Sequence, residues 1–137
     1  MKIKKIMSAN ITCINLEERL FVVRTLFIQH KFHHLMVTND NNELVGVISE
    51  RDYLKATNSN IELPSANDKD LAMLNKRVHQ IISKKVVSIT ELTSFSKAIK
   101  IFHDNGVSCL PVVDNNNCPI GIITWRDIIR FLYRKIS

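Results

Sequence analysis

Apolar positions along the chain follow two periods, and the alternation between them is written twice in the same order. Short apolar runs at Ile11–Ile14 and Val86–Ile89 predict brief strands. Helical spacing follows each: Leu16, Leu20, Val23 and Phe27 in the first case, Phe95, Ala98, Ile99 and Phe102 in the second. Asn15 with Glu18 three residues on predicts a capping box at the start of the first helix. Gly106 predicts a left-handed stop for the second, where the first has Lys31. Two hairpins come next, Leu35–Thr38 with Val45–Ser49 and Leu110–Val113 with Ile120–Thr124. Their loops, Asn39-Asp40-Asn41-Asn42 and Asp114-Asn115-Asn116-Asn117, are built from residues that tolerate positive φ and cap their own backbone. Closing helices are predicted from about Glu50 and Trp125, and opening turns at Ile3–Met7 and Val78–Ile82.

The two halves align without a gap at an offset of 75. Identical pairs are Ile6/Ile81, Ser8/Ser83, Ile14/Ile89, Phe27/Phe102, Leu35/Leu110, Val37/Val112, Asn41/Asn116, Asn42/Asn117, Gly46/Gly121, Ile48/Ile123, Arg51/Arg126 and Asp52/Asp127. Composition alone would supply roughly three such pairs over that span. The chain is therefore an internal duplication of one β-α-β-β-α unit, an α/β (α+β) arrangement. We delimit the repeats at 1–57 and 77–137, with a polar linker over 58–76 that contains Pro64. One such unit is too small to be stable alone. Two, packed sheet to sheet about a pseudo-two-fold axis, would bury both apolar faces and leave two equivalent clefts.

Composition narrows the classes of function. At 137 residues the chain is one modest folded body, with 45% hydrophobic and 23% charged residues. No apolar run reaches the roughly 20 residues of a membrane span, and no signal-peptide pattern follows the basic start, so a cytoplasmic protein is expected. Cys13, Cys109 and Cys118 form no C-x-x-C and read as reduced thiols. The net charge of +6 favours anionic partners. The basic residues are dispersed and lack interleaved aromatics, which argues against nucleic acid. No nucleotide loop or nucleophile elbow is present, so the chain does not read as an enzyme. A metal reading of His30-x-x-His33-His34 finds no further ligand.

The motifs resemble those of cystathionine-β-synthase (CBS) domains, which carry a hydrophobic-Pro-Val-Val-Asp strand and then Gly-hydrophobic-hydrophobic-[Ser/Thr]-x-x-Asp. The second copy has Leu110-Pro111-Val112-Val113-Asp114 and Gly121-Ile122-Ile123-Thr124-Trp125-Arg126-Asp127. The first has Gly46-Val47-Ile48-Ser49-Glu50-Arg51-Asp52, and its strand departs from the pattern at Met36, Thr38 and Asn39. The resemblance implies a regulatory pair that binds AMP, ADP, ATP or a relative between its repeats, needs no further cofactor, forms a homodimer and signals to an effector protein. It assigns the ribose hydroxyls to Asp52 and Asp127, with ribose or phosphate contacts for Ser49 and Thr124. His33 and His34 fall where some members grip phosphate, whereas the second copy has Ser108-Cys109 there. Arg51 and Arg126, each one residue before the aspartate, are candidates to reach phosphate, against the competing reading of exposed first-turn arginines that are only solvated. A structural use competes for these residues: Ser49-x-x-Asp52 and Thr124-x-x-Asp127 are also capping boxes at a strand-to-helix junction. A ligand-free interaction module is the alternative function.

Overall fold

A computed structural model describes residues 1–30, 34–57, 67–82 and 86–137. It contains two three-stranded sheets with helices, and so confirms the mixed α+β class and the repeated unit. In the first repeat β1 (Cys13–Asn15) is followed by α1 (Leu20–His30), β2 (His34–Thr38), β3 (Leu44–Ser49) and α2 (Glu50–Ala56). A short helix α3 (Asp68–Ala72) comes next. The second repeat has β4 (Ile89–Thr90), α4 (Phe95–Asn105), β5 (Cys109–Val113), β6 (Pro119–Thr124) and α5 (Trp125–Ile136). The sheet orders are β1-β2-β3 and β4-β5-β6, with β1 parallel to β2 and β4 parallel to β5.

The central strands β2 and β5 are apolar and almost wholly buried, as expected of strands covered on both faces. Pro111 is tolerated in β5 because β4 pairs only with Val112 and Val113, so the strand is an edge beyond that point. Asn42 and Asn117 adopt φ of 61° and 63°, which is the left-handed geometry read from the loop sequences. Gly106 caps α4 at φ 61°.

Contacts divide the chain into two compact units, and these cut across the repeats. One holds Thr12–Asn41 and Val45–Val86; the other holds Met1–Ile11, Asn42–Leu44 and Val87–Ser137. Each repeat's opening turn therefore belongs to the unit built on the other repeat. Ile3 is fully buried in a core with Phe102, Leu110, Val112 and Ile123. Val78 is fully buried in the other, with Val23, Leu35, Val37 and Ile48. The hydrogen bonds repeat at the sequence offset. Ile3 N–H donates to Thr93 O at 2.9 Å and Phe95 N–H to Met1 O at 2.8 Å. In the other unit Val78 N–H donates to Glu18 O at 2.7 Å and Leu20 N–H to Lys76 O at 2.9 Å.

Two sequence expectations are corrected here. Asn15 does not cap α1. Its side chain accepts from Glu17 N–H at 2.8 Å and donates to Asp40 at 2.9 Å, closing a turn that delays the helix to Leu20. The delay leaves Glu18 O and Leu20 N–H free to bond the incoming Val78 segment. The residues from Asp68 onward, read as polar linker, form α3 and a 3-10 turn over Met73–Asn75, because Leu74 finds a place in the core. Residues 58–66, with Pro64, lie outside the described residues.

The motif glycines mark where the exchanged turns touch the sheets. A Cβ on Gly121 would lie 2.8 Å from Met7 Sδ and 3.0 Å from the Ser8 carbonyl oxygen. That oxygen accepts from Ile122 N–H at 2.9 Å, and Ser8 N–H donates back to Ile122 O at 2.9 Å, so the backbone there has no freedom to retreat. A Cβ on Gly46 would meet Ile82 Cδ1 at 3.0 Å, the end of a flexible side chain. Gly121→Ala is expected to destabilise the protein by about 1–3 kcal/mol through overpacking. Gly46→Ala should cost distinctly less. Urea unfolding of both variants checks this, and equal costs would contradict it.

Candidate functional site

The candidate residues sit where a sheet strand hands over to a helix, once in each repeat. At these points the chain must turn from extended to helical dihedrals, and the first helical N–H groups need acceptors. Ser49 and Thr124 are both extended, at φ −88°, ψ 161° and φ −120°, ψ 168°. Ser49 Oγ accepts from Asp52 N–H at 3.0 Å, and Ser49 N–H donates to Asp52 Oδ2 at 2.9 Å. Thr124 Oγ1 accepts from Asp127 N–H at 3.4 Å, and Thr124 N–H donates to Asp127 Oδ2 at 2.8 Å. The Thr124 hydroxyl is also 3.0 Å from Oδ2, as a donor. Both sequences thus form reciprocal capping boxes, the structural use anticipated for them.

The two carboxylates differ in surroundings. Asp52 is exposed. The Asp127 side chain retains 13% exposure, and Arg130 Nη1 lies 3.5 Å from its Oδ1. Asp127 lines a cavity of about 120 Å³ together with Lys5, Ile6, Arg130, Phe131 and Arg134. In each box the cap engages Oδ2, so a second oxygen is available for outward contacts. One such carboxylate can accept from both hydroxyls of a vicinal diol.

The other predicted residues are placed as follows. Arg51 and Arg126 lie exposed in the first turns of α2 and α5. His34 opens β2 and is half-buried, and His33 lies outside the described residues. Cys109, at the position matching His34, is opposite Thr124 in the β5–β6 ladder. Trp125 packs on Phe102 with ring centroids 4.8 Å apart, so its role is partly in the core. Lys5, Arg130 and Arg134 escaped the sequence reading. The α5 pair was detectable in principle, because positions 127, 130 and 134 share one helix face. Lys5 reaches it only through the exchanged turn.

The family of the chain follows from comparison. A CBS domain model matches residues 3–59 and again residues 78–134. The chain belongs to the CBS domain family. A CBS domain-containing protein of Dictyostelium discoideum is 30% identical over 136 residues, covering 98% of this chain and 93% of its own length. Several other curated relatives are longer, and the chain spans between 41% and 56% of them. Among solved structures, the CBS domain pair of protein MJ0100, in complex with 5′-methylthioadenosine and S-adenosyl-L-methionine, superposes with a TM-score of 0.80 at 24% identity over 98% of both chains. CBSX2 in complex with AMP gives 0.79 at 22%, covering 99% of this chain and 98% of that one. These likenesses establish a CBS pair fold.

Within this CBS pair a larger space of about 460 Å³ is lined by Asn15, Glu17, Arg19, Phe21, Asn75 and Arg77 among others. Its arginines are occupied internally: Arg19 donates to Asn75 O at 2.9 Å, and Arg77 to Glu17 O at 2.6 Å. It is the seam along which the second opening turn docks. Cys13 and Cys118 are poorly suited to nucleophilic work. Burial pushes the Cys13 thiol up, and burial with the nearby Asp114 and Glu43 carboxylates does so for Cys118. Among the described residues no helix is long and apolar enough to cross a membrane.

Loss of an N-cap hydroxyl typically costs about 1 kcal/mol. Thr124→Ala is expected to cost more than Ser49→Ala, because it also strips a donor from the largely buried Asp127 carboxylate. Denaturant midpoints of the two variants measure the difference, and a larger loss for Ser49→Ala would refute the ranking.

Proposed function

We propose that this CBS pair is a regulatory sensor that binds an adenosine compound, AMP, ADP, ATP or a relative, and passes the bound state to a partner protein. The observation that carries the reading is Asp127: a carboxylate held by its own cap, 13% exposed, at the wall of a small cationic cavity. Ribose hydroxyls donate to Asp127, and to Asp52 in the first repeat. Thr124 and Ser49 hold those carboxylates and offer hydroxyls to the ligand. The structures of CBS pairs in complex with AMP and with S-adenosyl-L-methionine support the ligand class. Arg51 and Arg126 supply positive charge toward phosphate, and His33 and His34 offer ring N–H groups to it, His34 from the position that matches Cys109, which pairs with Thr124. The role is binding rather than catalysis, since among the described residues no activated nucleophile accompanies the carboxylates. None of the three cysteines is in a disulfide, which supports a reducing, cytoplasmic setting.

A ligand changes a partner's behaviour only as far as it binds two conformations unequally, so the partner must read a difference between them. Helix α5 provides a surface for association. Ile129, Leu132, Tyr133 and Ile136 recur at helical spacing and are 62%, 46%, 66% and 84% exposed. A second copy of the chain, presenting the same stripe, covers it in a homodimer. The same stripe favours the alternative reading as an interaction module, and ligand binding separates the two.

A hydrogen bond to a charged acceptor is worth about 1.5–3 kcal/mol, so Asp127→Ala should weaken nucleotide binding about ten-fold or more by calorimetry. Asp127→Asn, which keeps an acceptor for the cap, controls for folding. Unchanged affinity in both variants would remove Asp127 from the site, and no binding of any adenosine compound by the wild type would favour the interaction module. For the dimer, Ile129→Asp is expected to convert a two-chain particle to a single chain in light scattering at micromolar concentration. A wild type that is already monomeric there would reject the interface.

A further inference from the structure

The second repeat has Ser108-Cys109 where the first has His33-His34, so it carries no basic residue ahead of its central strand. Its cations are elsewhere. Lys5, Arg130 and Arg134 line the cavity that Asp127 opens into, three cations against one carboxylate. Arg130 and Arg134 stand one turn apart on α5, and Asp127 stands one turn earlier on the same face. Lys5 is delivered from the other side by the exchanged opening turn, with Ile6 and Phe131 forming apolar walls. Among the described residues, neither Lys5 nor Arg134 pairs with a carboxylate. Like charges brought together in this way are unfavourable unless an anion joins them. The cavity, about 120 Å³, has room for a phosphate group.

The first repeat does not reproduce the arrangement. The positions matching Lys5, Arg130 and Arg134 at the offset of 75 are Gln80, Lys55 and Ser59. Gln80 already spends its side-chain oxygen on Arg77 N–H at 2.7 Å. Whatever the cluster does, it does in one repeat.

We infer that Lys5, Arg130 and Arg134 form a phosphate subsite beside Asp127, which makes the second repeat selective for phosphorylated adenosine nucleotides over uncharged or cationic adenosine compounds. The inference rests on the reading of Asp127 as the ribose acceptor and deepens it. The ribose stays at the cavity mouth on Asp127, and the phosphate enters the cavity between α5 and the opening turn. Because Lys5 rides on a segment from the other repeat, a bound phosphate also ties the exchanged turn to α5.

The test uses calorimetry with AMP, ATP and 5′-methylthioadenosine, the last carrying no phosphate, on the wild type and on Lys5→Gln/Arg134→Gln. Arg130 is left in place because it touches Asp127. Both replaced side chains are exposed, and an unchanged melting temperature verifies folding. The wild type should bind AMP or ATP about ten-fold or more tightly than 5′-methylthioadenosine, as two charge-assisted contacts imply. The double variant should lose that preference while its affinity for 5′-methylthioadenosine holds. Equal binding of the three compounds by the wild type, or a preference that survives in the variant, overturns the subsite while leaving the adenosine reading intact. If the wild type takes none of the three, the adenosine reading fails, and sodium tripolyphosphate then tests the cluster alone. Tripolyphosphate bound by the wild type and lost in the variant upholds the anion site, and no binding to the wild type overturns it.

Discussion

The fold depends on the burial of a single aliphatic side chain carried into each core by a foreign segment. Ile3 and Val78 are fully buried, each within the unit built on the repeat to which it does not belong. Burying such a side chain is worth about 1.5–3 kcal/mol. Backbone hydrogen bonds then fix the segment in register, and the same donors and acceptors recur in both units. Neither sheet, with three short strands, completes its core from its own repeat. The duplication is thus a structural requirement, since each copy supplies what the other lacks.

The glycines of the two Gly-x-x-[Ser/Thr] segments follow from that exchange. Met7 and Ile82 are equivalent at the offset of 75, and each lies against the glycine of the other copy. A side chain at Gly46 or Gly121 would hold the incoming turn off the sheet. Three residues further along the same strands come Ser49 and Thr124, where the helices begin. The segment that accepts the exchanged turn is therefore continuous with the segment that presents the carboxylate. This continuity is how a change at the site could be felt by the core.

Capping and ligand contact are compatible uses of the same aspartate because a carboxylate has two oxygens. The cap fixes one, which orients the other and removes side-chain freedom that a ligand would otherwise have to freeze. Local electrostatics then separate the copies. Asp127 is largely buried and shares a cavity with Lys5, Arg130 and Arg134, whereas Asp52 is exposed. A duplicated scaffold with diverged charges gives one chain two strand-to-helix junctions of unequal charge.

Much of this was legible in the residues. The offset of 75, the asparagine loops, Gly106 and the capping boxes at Ser49 and Thr124 depend on local rules or on comparison of the chain with itself, and these appear where the sequence put them. The first strand of each repeat begins later than its apolar run, at Cys13 rather than Ile11 and at Ile89 rather than Val86. The turn at Asn15 was misread, because an asparagine side chain can close a turn as well as cap a helix and nothing local distinguishes the two. The helix at Asp68–Ala72 was missed because its own sequence is largely polar, and Leu74, which reaches the core, lies in the 3-10 turn that follows it. By itself, then, the sequence determined the unit, its duplication and the carboxylates at each junction, since these are set by interactions within a few residues or by identity between copies. Tertiary structure alone decided which opening turn completes which core, and with it that Lys5 lines the same cavity as Asp127, because a short apolar turn carries no local sign of the sheet it will cover.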